Sequence, residues 1–200
     1  FKSGFVKLRF FLSGGRKTKD DGDKLPLVIF SEGKQYWNFF KPVCKELETR
    51  GVKTVYMTAS EEDPALKNEY KNIKTEFIGS GNKAFAKLNF LNADIVLATT
   101  PGLDVYQWKR SREVKSYIHM FHAAGDVTLY RMFGLDYYDS ILISGDYQEK
   151  QIRDLENLRN LPTKEVVKVG IPYMDEMAKA LAEAEPIGEH ERTVLLAPTW

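Results

Sequence analysis

The 200 residues are 43% hydrophobic, 28% charged and 12% aromatic, with a net charge of +1. That composition buries a core and excludes an intrinsically disordered chain, which carries fewer aromatics and a more lopsided charge. The charge balance argues neither for nor against nucleic acid, and no nucleic-acid partner is expected; the single cysteine, Cys44, excludes an internal disulfide and a cysteine-based zinc cluster.

Residues 1–24 form a basic, aromatic segment and a linker. The stretch FKSGFVKLRFFLSGGRKTK carries Lys2, Lys7, Arg9, Arg16, Lys17 and Lys19 and no acidic residue. Phe1, Phe5, Val6, Leu8, Phe10, Phe11 and Leu12 are interleaved with them. Aromatics at the headgroup boundary and cations on anionic lipid suit a membrane surface. The flank of a membrane span lying upstream, or a surface strand or helix packed on the domain, fits the same residues. The chain has no apolar run of about 18 residues and no signal peptide. It opens on Phe1 rather than Met and stops just after the strand-like TVLLAPTW, so a larger protein is expected.

From Leu25 onward, short β-rich runs alternate with helical stretches. The expected strands are 25–30, 53–58, 75–79, 93–99, 116–121, 140–144 and 165–170. Several are continuously apolar, as in parallel sheets covered on both faces. After SEGK, the residues Tyr36, Phe40, Val43, Cys44 and Leu47 recur at helical spacing, and Arg50-Gly51 reads as the C-cap. Pro42 requires that helix to begin near Asn38, so that the proline falls in its first turn. NKAFAKLNFLN, DYQEKQIRDLENLRN and the stretch from Met174 supply further helices.

This alternation implies an α/β domain over 25–186 with a doubly wound, mostly parallel sheet and right-handed crossovers. Residues 187–200 read as a linker and the first strand of a second domain.

In such folds ligands bind beyond the carboxyl ends of the strands, where strand order switches. Five loops fall there: SEGK (31–34), GSGN (79–82), TTPGLD (99–104), HAAGD (122–126) and SGD (144–146). Their candidate substrate-binding residues are Ser31, Glu32, Gly79, Ser80, Gly81, Thr100, Gly102, Gly125, Asp126, Ser144 and Gly145. Small residues let backbone N–H groups approach a phosphate or sugar, although glycine at a strand end is also plain turn chemistry. The GxGxxG, P-loop and GxSxG signatures are absent.

His119 and His122 are three apart, so an extended strand points them to opposite faces. They make poor joint metal ligands, His190 lies in the linker, and neither a metal nor another cofactor is expected. His119 reads as a packed, hydrogen-bonded strand residue. His122, at the strand's carboxyl end, is placed where a general base faces a cleft.

The segment YIHMFHAAG (117–125) resembles the strand end of the CDP-glycerol glycerophosphotransferase family, the teichoic-acid-type polymerases and primases. That family typically reads Tyr-Ile-Gln, an apolar residue, then Trp-His-Gly-Thr. VIFSEGKQYWNFFKPVCKELETRG, ADIVLATTPGLDVYQW, VGIPYMD and TVLLAPTW are similar to successive parts of the same group, over about residues 25 to 200. The departures are Phe121 for Trp, Ala123-Ala124 for Gly-Thr and His119 for Gln, which bear on the acceptor.

The resemblance implies the Rossmann-like N-terminal domain of a GT-B enzyme, peripheral at the inner face of the cell membrane in the cytoplasm. It would move glycerol phosphate from CDP-glycerol to the hydroxyl of a lipid-linked acceptor in cell-envelope polymer synthesis, with His122 as the base. The nucleotide donor would bind mainly to a C-terminal domain, so this chain alone is expected to be inactive. The layout is shared with enzymes acting on UDP-sugars, glycosyltransferases or UDP-N-acetylglucosamine 2-epimerases, which stand as the alternative.

Overall fold

The structure is a computed structural model that describes residues 24–185 and 194–197. The basic aromatic segment up to Asp23 and the linker with His190 lie outside the described residues. Among the described residues, seven strands form one sheet: β1 (Leu25–Ser31), β2 (Thr54–Thr58), β3 (Ile73–Phe77), β4 (Ala93–Ala98), β5 (Val114–Met120), β6 (Ser140–Ile143) and β7 (Glu165–Lys168). All pairings are parallel, in the order β3-β2-β1-β4-β5-β6-β7. The helices are α1 (Trp37–Thr49), α2 (Asn82–Leu88), α3 (Asp146–Arg159) and α4 (Pro172–Glu183). The result is a doubly wound, Rossmann-like α/β fold.

The apolar strands are buried on both faces, as their lack of alternation requires. On one face Val28, Phe30, Val96, Ala98 and Tyr117 meet Ala84 and Leu88 of α2. Ile141 and Ile143 continue that face toward Ile152 of α3. On the other, Leu27, Ile29, Ile95, Leu97, Ile118 and Met120 meet α1 through Trp37, Phe40, Val43, Cys44 and Leu47. Each large apolar side chain buried in this way contributes about 1.5–3 kcal/mol. Burial also pushes the Cys44 thiol up to about 12, with the Asp63 charge adding to it, so this cysteine stays protonated.

Three local expectations differ from the structure. The third strand begins at Ile73 and ends at Phe77, two residues earlier than its most β-rich run, because it pairs with β2 from Thr54↔Ile73 onward. Helix α1 starts at Trp37, after a 3-10 turn over Lys34–Tyr36, so Pro42 lies in the second turn rather than the first. It leaves the carbonyl of Asn38 without its helical donor, at an exposed position where water can serve it. Gly51, φ +66°, does follow the helix in the left-handed conformation expected beyond its end. Finally, the described part of TVLLAP, residues 194–197, carries no regular structure, and Val194, Leu195 and Leu196 are exposed.

Candidate functional site

Because every strand is parallel, the loops after β1 through β7 share one edge of the sheet. Strand order reverses between β1 and β4, and a crevice opens beyond their carboxyl ends. A cleft of about 480 Å³ occupies it. Glu32 comes from the loop after β1, Phe85 from α2, Thr100, Gly102 and Trp108 from the segment after β4, and Arg131 from the segment after β5.

The cleft walls are fixed by packing and backbone bonds. The phenol of Tyr138 donates to the carbonyl oxygen of Thr100 at 2.5 Å, and the Gly102 amide donates to the carbonyl of Gly134 at 2.8 Å. Gly102 has φ +86°, and a Cβ there would stand 2.7 Å from the ring of Tyr106. Only glycine lets that ring close over the turn. The Trp108 ring lies edge-on to Phe30 (5.2 Å between centroids) and stacks on Phe85 at 6.4 Å. Its Nε1, like the Oγ1 atoms of Thr99 and Thr100, is buried without a hydrogen-bond partner among the described residues.

The two histidines fall on opposite faces of the sheet, as their spacing dictates. His119 is fully buried among Phe121, Tyr130 and Tyr138, with Nε2 3.3 Å from the Tyr130 hydroxyl. Its Nδ1 has no partner among the described residues. Burial, with a smaller effect from His122, holds its proton affinity down at about 3, so it is neutral at pH 7.

His122 is half-buried on the α1 side, edge-on to Tyr36 and Phe39 at 5.2 and 5.8 Å. Burial lowers its pKa from the ordinary value, which favours the neutral imidazole. Nδ1 is enclosed and has no partner among the described residues, leaving Nε2 as the nitrogen that can meet a ligand. His122 does not line the 480 Å³ cleft.

The substrate-binding candidates divide four ways. Glu32, Thr100 and Gly102 converge on the cleft. Ser31 is buried and spends its hydroxyl on the carbonyl of Gly33, 3.0 Å away. Gly79, Ser80 and Gly81 follow the outermost strand, β3, and close the turn into α2 through the Lys83 and Ala84 amides.

Gly125, Asp126, Ser144 and Gly145 belong to a framework built by α3. Gln148 donates from Nε2 to the Gly125 carbonyl at 2.9 Å, and its Oε1 accepts from the amide and hydroxyl of Ser144 at 2.8 and 2.9 Å. Asp126 accepts from the amide and hydroxyl of Thr128 and from Gln151, which hold its carboxyl below the usual carboxylate range, Thr128 foremost. Gly145 stands at the N-cap of α3, where the Gln148 amide donates to its carbonyl.

Sequence reasoning missed Phe85, Trp108 and Arg131. Trp108 ends the stretch DVYQW, in which a lone aromatic pair after a glycine turn reads equally well as core. Arg131 sits in a stretch with no periodic signal. Among the described residues no three His, Cys, Asp or Glu side chains converge as a metal site requires, and no helix is long and apolar enough to cross a membrane. Compared with known proteins, the chain matches no family model, no curated protein and no solved structure.

Proposed function

We propose that this chain is the acceptor-side domain of a transferase that moves a glycerol-phosphate unit from CDP-glycerol to the hydroxyl of a lipid-linked acceptor. His122 carries the reading. It follows the carboxyl end of β5, burial keeps it neutral, and its aromatic neighbours fix the ring with one nitrogen enclosed. A neutral imidazole held in this way is suited to take a proton from an incoming hydroxyl. The acceptor oxygen then attacks the phosphorus that bears the glycerol, the bridging P–O bond breaks, and CMP leaves with the electron pair. Such transfers depend on positioning and charge stabilisation more than on covalent help from the protein. The resemblance of YIHMFHAAG to the glycerophosphotransferases supports the choice of donor.

The test uses the full-length gene product with CDP-glycerol and a lipid-linked glycerol-phosphate acceptor. CMP release is expected, and His122→Asn is expected to slow it by about 10²–10⁴-fold while the circular dichroism stays unchanged. Unchanged release in the variant removes His122 from the mechanism. Turnover of UDP-sugars in place of CDP-glycerol overturns the donor.

A further inference from the structure

The cleft at the β1–β4 crossover lies on the opposite face of the sheet from His122, and it is chemically unfinished. Trp108 is 2% exposed and lines the cleft, yet its Nε1–H meets no acceptor among the described residues. Thr100, 7% exposed, lines it too, and its buried hydroxyl has no partner among the described residues. Both atoms are enclosed within the cleft wall, so a ligand meets the rings and the exposed charged side chains rather than these two groups. Glu32 and Arg131 line the same space, both exposed, with neither joined to the other by a salt bridge. Neither side chain has a hydrogen-bond partner among the described residues.

We infer that this cleft is a binding site for a small sugar phosphate, a polyhydroxylated ligand carrying one anionic group. The guanidinium of Arg131 is built to take phosphate oxygens with paired donors. Glu32 can only accept, so it selects ligand hydroxyls and repels a second anion. The rings of Phe85, Tyr106 and Trp108 give the apolar C–H face of a sugar a surface to lie on. A volume of about 480 Å³ admits a ligand of this size. Inorganic phosphate would leave Glu32 and the aromatic wall unserved, and a neutral sugar would leave Arg131 unused. The inference stands on the cleft alone and does not depend on a role for His122.

The experiment titrates the full chain with glucose 6-phosphate, ribose 5-phosphate and glycerol 3-phosphate, following tryptophan emission and heat. Glucose and inorganic phosphate supply the two halves separately. At least one phosphate ester is expected to saturate about tenfold or more tighter than either half. Arg131→Gln, a change at an exposed position, is expected to weaken it about tenfold. Trp108→Phe, which keeps an aromatic ring in the cluster, is expected to weaken heat-detected binding and abolish the emission change, with Trp37 still reporting the fold. Failure of all three esters to saturate overturns the inference. So does equal binding of inorganic phosphate, an adventitious ion only, or binding indifferent to Arg131→Gln.

Discussion

The hydroxyl of Tyr138 and the carbonyl of Thr100 are joined at 2.5 Å, a bond between residues 38 apart that is buried from end to end. Tyr138 lies just ahead of β6, whereas Thr100 is in the loop that leaves β4. The bond runs beneath the cleft, so the loop that carries Thr100 and Gly102 is anchored from inside the core.

Tyr138→Phe keeps the ring and its edge-on contacts to Trp108 and His119 but removes the donor. The Thr100 carbonyl is then left buried and unpaired at that point. A loss of about 1–3 kcal/mol is expected. In a domain of this size that lowers Tm by roughly 2–4 °C per kcal/mol. Thermal unfolding monitored by circular dichroism checks it, and an unchanged Tm would show that the carbonyl finds another donor.

Gln148 is fully buried and joins two loops that are 19 residues apart. Gln148→Leu leaves the Gly125 carbonyl and the Ser144 amide without partners, at a cost of about 2–4 kcal/mol for the pair. Urea denaturation gives the loss. Faster hydrogen exchange at the Ser144 amide than at the β5 amides locates it. Equal acceleration throughout the sheet would contradict the local role.

His119 makes stability fall with acid. Its pKa is about 3 when folded, against an ordinary value of 6.5. Below pH 6.5 the unfolded chain therefore binds a proton that the native state refuses. The contribution is fully present above pH 6.5 and declines as pH drops toward 3, by on the order of 4 kcal/mol across the window. His122, also lowered by burial, acts in the same direction. Chemical denaturation of wild type and His119→Gln at several pH values isolates the term, since the variant is expected to lose stability less steeply. An imidazole proton resonance of native His119 that titrates near 6.5 would refute it.

Much of the fold was legible along the chain. Seven apolar runs bounded by turn residues became seven strands because a parallel sheet buries both faces and suppresses alternation. The amphipathic spacing of Phe40, Val43, Cys44 and Leu47 gave α1 its buried stripe, whereas Tyr36, read with them, fell in the preceding 3-10 turn and Pro42 proved admissible a turn deeper than helix propensity suggests. The opposite orientations of His119 and His122 also followed from spacing, since strand side chains alternate.

What the sequence by itself determined, then, is local: which runs extend, which coil, and which way a strand side chain points. Those properties depend on backbone sterics and on neighbours a few residues away. Only the tertiary structure decided which loops meet. β1 and β4 are adjacent while β3 is outermost, so Glu32 and Thr100 share a cleft that Gly79, Ser80 and Gly81 do not reach. Trp108 and Arg131 joined that cleft because the crossovers bring the segments after β4 and β5 together over α2. Strand order is set by how whole faces pack against helices, an energy summed over contacts distant in sequence that no local pattern encodes.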